Sequence, residues 1–247
     1  MAWTTNLVDY WKMDETSGDM LGAHASKTFT LTGTVGYDTG LVYANAREWA
    51  TGTPGRIYRN NSDVRFGDVD FTIAIWFYQY TTPPGSGANL YHILLGNDTF
   101  NGGHTLGLNG ADQLFAQFVD GSGNVTTLHD DVPGTVNNTW HLGLAWYVAS
   151  GNNCYLSTDN GTAQTDSMAN AKAAGGAAVS IGSYSYNNDN VMDGRIGPIM
   201  MWTRVLTDDE KTALYNSRAG LSYEAMTATP SLPIDSRRRT FAGVIVR

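Results

Sequence analysis

The sequence has a single cysteine and no long apolar run. Because Cys154 is the only cysteine among 247 residues, no disulfide can form within the chain and its stability must come from the hydrophobic core. No stretch approaches the ~18 consecutive apolar residues of a membrane-spanning helix, so membrane insertion is not predicted. The first residues lack a basic region followed by an apolar segment, so we expect no cleaved export signal. These absences favour folding in a reducing compartment.

Positive charge is scarce over most of the chain. The sequence has 15 basic and 23 acidic residues, for a net charge of −8, and residues 228–247 hold four of the arginines beside one aspartate. The preceding residues therefore carry 11 basic and 22 acidic side chains, which repel nucleic acid and anionic membranes. We expect no nucleic-acid partner and attribute the acidic body to solubility.

Glycine and aromatic residues are plentiful. Glycine accounts for 28 residues, and aromatic residues for 11% of the chain, with 7 Trp and 13 Tyr. This composition is typical of short aromatic strands joined by many turns. Residues 71–80 are apolar on both sides of a predicted strand, which indicates a central strand with the opposing sheet on one face and a loop over part of the other.

Residues 139–149 alternate between two kinds of side chain, as a strand does. One row, predicted to point away from the core, is small at Gly143 and Ala145. This predicts a shallow groove, filled either by a flat ligand or, in the simpler interpretation, by a packed loop. The row predicted to point inwards is bulky and comprises Trp140, Leu142, Leu144, Trp146 and Val148.

Turn and capping residues place several further elements. Residues 114–119 and 125–128 predict a hairpin, and a strand over 154–158 is predicted to end at the Asn160-Gly161 turn. Within a predicted strand over 195–203, Pro198 requires an edge position or a bulge. One helix is predicted over about 207–217, because Thr207 and Glu210 have the spacing of a capping box and Leu214 can face the sheets.

Five segments carry a family resemblance when they are taken in order. They are LVDYWKMDE at 7–15 before Gly18, FGDVDFTI at 66–73 with Trp76, Trp140-His141, Ile181-Gly182, and DGRIG at 193–197 followed by Trp202 and residues 204–216. This series resembles laminin-G-like domains of the concanavalin A-like lectin/glucanase class and covers roughly residues 6–223. The resemblance implies an all-β antiparallel sandwich, a jelly roll with one short C-terminal helix. We expect this domain over residues 1–224 and a Pro-spaced linker and arm over 225–247.

Catalytic residues are not found. Glucanases of this class cut glycosidic bonds with two carboxylates about 5 to 5.5 Å apart, but Asp14 and Glu15 are adjacent and point to opposite faces of a strand. Asp68 and Asp70 lie where a loop enters a strand. The sequence also lacks a Gly-x-Ser-x-Gly nucleophile elbow and any zinc-ligand spacing among its histidines. We therefore predict that the protein is not an enzyme.

Two segments combine aromatic, amide and carboxylate groups, the mixture that binds the apolar face and the hydroxyls of a sugar. The alternative is that these aromatic rings fold back on their own loops. Oxygen ligands at Asp189 and Asp193, together with the resemblance, make calcium the one candidate cofactor, although EF-hand spacing is absent. The candidate glycan ligands are Tyr184, Tyr186, Asn187, Asn188 and Asp189 in one segment, and Asn97, Asp98, Phe100 and His104 in the other.

The C-terminal segment has three interpretations: a nucleic-acid arm, a disordered tail or an anchoring strand. We favour the anchoring strand, because residues 241–246 have strand propensity and can pair with an exposed sheet edge of this chain or of a neighbour. The predicted anchoring residues are Arg237, Arg238, Arg239, Phe241, Val244, Ile245 and Val246.

Together these observations predict a non-catalytic structural protein of a virion, of the decoration or fibre-head type. It would assemble in the host cytoplasm, sit at the virion surface and contact other virion proteins or copies of itself, as a homo-oligomer, through the arm. Cell-surface glycans are the expected external ligands. The alternative is a carbohydrate-binding module or adhesin domain of a secreted bacterial protein, which would be extracellular.

Overall fold

The computed structural model describes residues 3–50, 55–83, 91–97, 103–131, 137–176, 178–183 and 190–228. Within these residues the chain forms strands and two α-helices, α1 (Asp208–Tyr215) and α2 (Tyr223–Thr227). The strands are β1 (Leu7–Trp11), β2 (Met20–Leu21), β3 (Thr28–Gly33), β4 (Gly36–Thr39), β5 (Asn45–Trp49), β6 (Gly55–Arg59), β7 (Phe71–Gln79), β8 (Tyr91–Asn97), β9 (His104–Asn109), β10 (Gln113–Val119), β11 (Val125–Asp131), β12 (Trp140–Val148), β13 (Asn153–Thr158), β14 (Gln164–Ser167), β15 (Val179–Ile181) and β16 (Gly194–Trp202).

The strands form two antiparallel sheets of eight strands each. Sheet 1 has the order β14-β13-β12-β7-β16-β5-β4, and β1 also pairs with β16. Sheet 2 has the order β11-β10-β9-β8-β15-β6-β3-β2. This arrangement confirms the predicted all-β sandwich.

The central strands of sheet 1 are buried on both faces. Its inner face packs against sheet 2 in the inner core, where β7 contributes Ile73 and Ile75. Its outer face carries a second group, the outer cluster, to which β7 contributes Ala74 and Trp76 and the helices contribute Leu214 and Met226. The prediction that residues 71–80 form a central strand covered on both faces, in part by a loop, is therefore confirmed. The outer cover consists of the helices, the N-terminal segment and the loop 41–43 between β4 and β5.

The orientation predicted for β12 is wrong. Leu142 and Leu144 of the bulky row lie in the outer cluster, whereas Ala145 and Tyr147 of the opposite row lie in the inner core. A Cβ atom added to Gly143 would lie 3.1 Å from Leu114 Cδ2 of sheet 2. The small residues thus admit the opposing sheet, and no ligand groove exists there.

Pro198 lies in a central strand. Strand β16 is flanked by β7 and β5, and its pairing with β7 shifts register between Ile196 and Ile199. The register shift is a bulge, which accommodates a residue without an N–H group. Of the two positions predicted for Pro198, the bulge is confirmed and the edge is wrong.

The two helices lie on the outer face of sheet 1. The Thr207 side chain accepts a hydrogen bond from the Glu210 N–H, the Glu210 carboxylate accepts one from the Thr207 N–H, and this capping box confirms the predicted start of α1. Helix α2 covers part of the segment assigned to the linker, but Met226 is buried in the outer cluster. No helix among the described residues has the length and apolar character needed to cross a membrane.

Candidate ligand-binding site

Most of the predicted site residues lie outside the described part of the chain, so the roles assigned to them stay predictions. In the glycan-binding segments these residues are Tyr184, Tyr186, Asn187, Asn188, Asp189, Asp98 and Phe100. In the anchoring arm they are Arg237, Arg238, Arg239, Phe241, Val244, Ile245 and Val246.

Asn97 and His104 are described, and both are buried. The Asn97 Oδ1 atom accepts a hydrogen bond from the His104 N–H at 3.1 Å, and the imidazole stacks on Phe66 with ring centroids 5.7 Å apart. Burial lowers the pKa of His104 well below its ordinary value, so the ring is neutral. The two side chains present no surface to a ligand and instead pack where β8 ends and β9 begins.

Asp193 is also described, and it is 8% exposed. Its carboxylate accepts a hydrogen bond from the Thr81 hydroxyl, and its carbonyl oxygen accepts one from the Tyr80 N–H at 2.8 Å. No three His, Cys, Asp or Glu side chains converge in a metal-binding arrangement within the described ranges. Calcium binding by Asp193 with Asp189 stays a prediction.

A pocket of about 370 Å³ opens on the outer side of sheet 1, between the β13–β14 turn and the first turns of α1. Its volume falls in the range of small-ligand sites. Amide, hydroxyl, carboxylate and ammonium groups converge there beside an indole ring. The lining residues are Trp146, Ser157, Asn160, Gly161, Ala163, Asp208, Lys211 and Thr212.

Two contacts hold the indole of Trp146 in place. Its ring stacks on Tyr155 with centroids 5.1 Å apart and an interplanar angle of 2°, and the Lys211 Nζ atom lies 3.8 Å from the centroid of the Trp146 ring. The side chain is 6% exposed. Trp146 therefore forms a rigid wall of the pocket, and a cation–π contact holds Lys211 in place.

The turn that forms the opposite rim is held by a buried carboxylate. Asp159 and Asn160 have φ angles of 52° and 58°, so the positive φ angle predicted at Asn160 is observed, whereas Gly161 does not have one. The Asp159 carboxylate accepts hydrogen bonds from His141 Nδ1 at 2.8 Å, the Leu142 N–H at 2.8 Å and Arg218 Nη2 at 3.1 Å. Burial by itself would raise the pKa of Asp159, but these three partners lower it below its ordinary value.

The polar groups of the pocket already form pairs between the turn and the helix. The Asn160 Nδ2 atom donates to Thr212 Oγ1 at 3.1 Å, and the Lys211 Nζ atom donates to Asp208 Oδ1 at 3.2 Å. The Asp208 side chain is 98% exposed, so it can exchange this partner for a ligand hydroxyl. Asp208 is the single carboxylate among the lining residues, so the pocket lacks the pair that glycoside hydrolysis uses.

The family follows from a comparison with family models. The model of the concanavalin A-like lectin/glucanases superfamily matches residues 51–210, well over half of the chain. The chain belongs to this superfamily. The match confirms the resemblance to this superfamily, and its range covers the motifs at residues 66–73, Trp140-His141, Ile181-Gly182 and 193–207.

Solved structures share the fold at low sequence identity. The binding domain of Paraclostridial Mosquitocidal Protein 1 is 16% identical with a TM-score of 0.65, and the match covers 86% of this chain and 52% of that one. The receptor binding domain of botulinum neurotoxin mosaic serotype C/D is 12% identical with a TM-score of 0.66, covering 86% and 51%. This chain thus spans about half the length of these proteins, and identities this low show the fold alone. No curated protein matches the chain.

Sequence reasoning missed the pocket, although it found two of its parts. The Asn160-Gly161 turn and the start of α1 were both predicted, but Asn160 and Thr212 stand 52 positions apart and nothing local pairs them. Trp146 was assigned to the wrong face of β12. A correct face assignment would have placed an indole beside the helix and indicated the site.

Proposed function

We propose that the chain is a non-catalytic recognition domain that binds a polyhydroxylated ligand, a glycan above all, in the pocket between the β13–β14 turn and α1. The observation that carries this proposal is the convergence of Asn160, Asp208, Lys211 and Thr212 beside the indole of Trp146. Such polar groups satisfy sugar hydroxyls, while the indole edge and Ala163 contact apolar carbons. The binding domains of similar fold support the same class of function.

A glycan array followed by titration calorimetry with the best binder tests this site. We expect Asn160→Ala and Asp208→Ala to weaken binding by about 3-fold to 30-fold, because each removes one or two hydrogen bonds to the ligand. The control is Asp209→Ala, which removes an exposed carboxylate from the same helical turn but outside the pocket. Unchanged affinity in both pocket variants, or no glycan bound at all, would contradict the proposal.

For the whole chain we propose a virion structural protein, anchored through the segment that follows α2. The acidic body, the single buried cysteine and the strand propensity of residues 241–246 support this role. Helix α2, which precedes that segment, packs on the outer face of sheet 1 through the buried Met226. A partner strand at a sheet edge would supply the anchoring contact.

The anchoring role is tested by the mass in solution of the full chain and of a chain ending at Ala228. We expect the full chain to form a homo-oligomer and the shortened chain to be a monomer with an unchanged melting temperature. The same oligomeric state for the two chains would contradict anchoring between copies. That result would favour the alternative of a carbohydrate-binding module or adhesin domain, which the similarity to toxin binding domains supports.

A further inference from the structure

A row of four side chains crosses the outer face of sheet 1, far from the pocket. Trp140 on β12 lies directly opposite Tyr78 on β7, Tyr78 opposite Arg195 on β16, and Arg195 opposite Glu48 on β5. Trp140 shares the outer face of β12 with Trp146, but the two are six residues, or about 20 Å, apart along the strand. We call these four residues, together with Tyr80 beside Tyr78, the outer row.

Arg195 organises the aromatic rings of the outer row. Its Cζ atom lies 3.9 Å from the ring centroid of Tyr78, 5.5 Å from that of Tyr80 and 5.8 Å from that of Trp140. The rings also contact one another, with centroids 5.5 Å apart for Tyr78 and Trp140 and 5.7 Å apart for Tyr78 and Tyr80. Arg195 itself is 9% exposed. The guanidinium is therefore a buried support that fixes three rings around it.

The Arg195 guanidinium contacts two residues of β4. Its Nη1 atom donates to the Thr39 carbonyl oxygen at 2.8 Å and lies 3.2 Å from Asp38 Oδ2. Glu48 accepts a hydrogen bond from the Tyr80 hydroxyl. Asp38 thus pairs with Arg195 and Glu48 with Tyr80, on a chain whose net charge is −8. This surface repels polyanions and offers carboxylate oxygens to hydroxyl donors.

The rings of the outer row are accessible from outside. Tyr78, Tyr80 and Trp140 are half-buried, so each residue keeps part of its surface exposed. The Trp140 ring lies against the backbone of Gly197, where an added Cβ would be 3.2 Å from its Cζ3 atom. Because Gly197 has no side chain, the indole can reach across β7 to β16.

From this arrangement we propose that the outer row is a second binding site, for an extended neutral oligosaccharide lying across the strands. Neighbouring strands are about 4.8 Å apart, so the row spans three gaps, or about 14 Å, which suits several sugar units in line. Trp140 and Tyr78 stack on the apolar faces of successive units, and Glu48 and Asp38 accept hydrogen bonds from hydroxyls. The site shares no residue with the pocket.

The test is calorimetry with neutral cello-, xylo-, malto- and chito-oligosaccharides of two to six units. We expect affinity for one series to rise with length over the first three or four units. Trp140→Ala should weaken binding by about 10-fold and Glu48→Gln by about 5-fold, the second without change of shape. The control is Tyr37→Ala, an exposed aromatic residue of the same sheet outside the row, and melting temperatures identify any variant that fails to fold.

Three outcomes would contradict the proposal that the outer row binds an extended neutral oligosaccharide. Binding that survives Glu48→Gln and Trp140→Ala but is lost in Asn160→Ala would place the ligand in the pocket. Affinity independent of length would contradict an extended site. Binding of polyanionic chains alone, or of none of the four series, would contradict the ligand class. If the wild-type protein binds a glycan in the pocket but no oligosaccharide at the outer row, the proposed function stands and only the second site is refuted. The two proposals therefore fail separately.

Discussion

The thiol of Cys154 is packed among apolar side chains in the inner core and has no exposed surface. Burial raises its pKa to about 12, and the thiolate is the reactive form. We expect no labelling by a thiol-specific disulfide reagent in the native protein from pH 7 to pH 9, and one equivalent after denaturation. A Ser167→Cys variant, with its thiol on the exposed strand β14, should label at once. Rapid native labelling of Cys154 would show that the core opens.

Gly182, in the Ile181-Gly182 pair that carries part of the family resemblance, has a φ angle of +79°. A Cβ atom there would lie 2.1 Å from Cε2 of the buried Trp49 ring. Gly182→Ala should therefore cost about 2 kcal/mol or more in urea unfolding, from backbone strain and overlap together. Gly176→Ala is the matched control, because nothing lies within 4 Å of its added Cβ, and it should stay within about 0.5 kcal/mol. Equal losses of unfolding free energy in the two variants would contradict the proposed strain and overlap at Gly182.

At the scale of the element, helix α1 depends on its capping box. The Thr207 hydroxyl accepts from the Glu210 N–H at 3.2 Å, and Glu210 also pairs with Arg204 through two contacts of 2.6 and 2.8 Å. Thr207→Ala should lower the free energy of unfolding by about 1 kcal/mol, whereas Thr207→Ser keeps the acceptor and should have little effect. Equilibrium denaturation measures the free energy of unfolding of both variants. If Thr207→Ser is destabilised as much as Thr207→Ala, the threonine methyl group and not the hydroxyl stabilises the helix.

The elements differ in how far the sequence could predict them. Helix α1 and the β10–β11 hairpin were predicted correctly, because capping residues and turn residues act within a few positions of one another. The row of β12 that faces sheet 2 was predicted wrongly. Both of its rows are buried, so a period of two separates the rows without telling which one meets the other sheet. The position of Pro198 was ambiguous as well, since a bulge and an edge strand can each accommodate a residue that has no N–H group to donate.

At the scale of the whole molecule, the inner core and the outer cluster share one sheet. Trp11 and Trp49 lie in the inner core, and Trp76 and Trp202 lie in the outer cluster. Since β7 and β16 contribute to both, neither group can lose its packing while the other stays intact. We expect tryptophan fluorescence and far-ultraviolet circular dichroism to report a single, coincident urea transition. A fluorescence change that precedes the loss of strand signal would show that the outer cluster unfolds alone.

The sequence by itself determined the antiparallel β class, the family, the Asn160-Gly161 turn and the capped helix. All of these depend on residue type, short spacings or the order of motifs. The tertiary structure alone decided that Trp146 faces α1, that Asn160 reaches Thr212, and that four strands bring Trp140 into line with Glu48. The physical reason is that a binding surface on a sheet depends on which strands are neighbours and on what covers each face. Contacts between segments distant in the chain set both, and local patterns do not encode them.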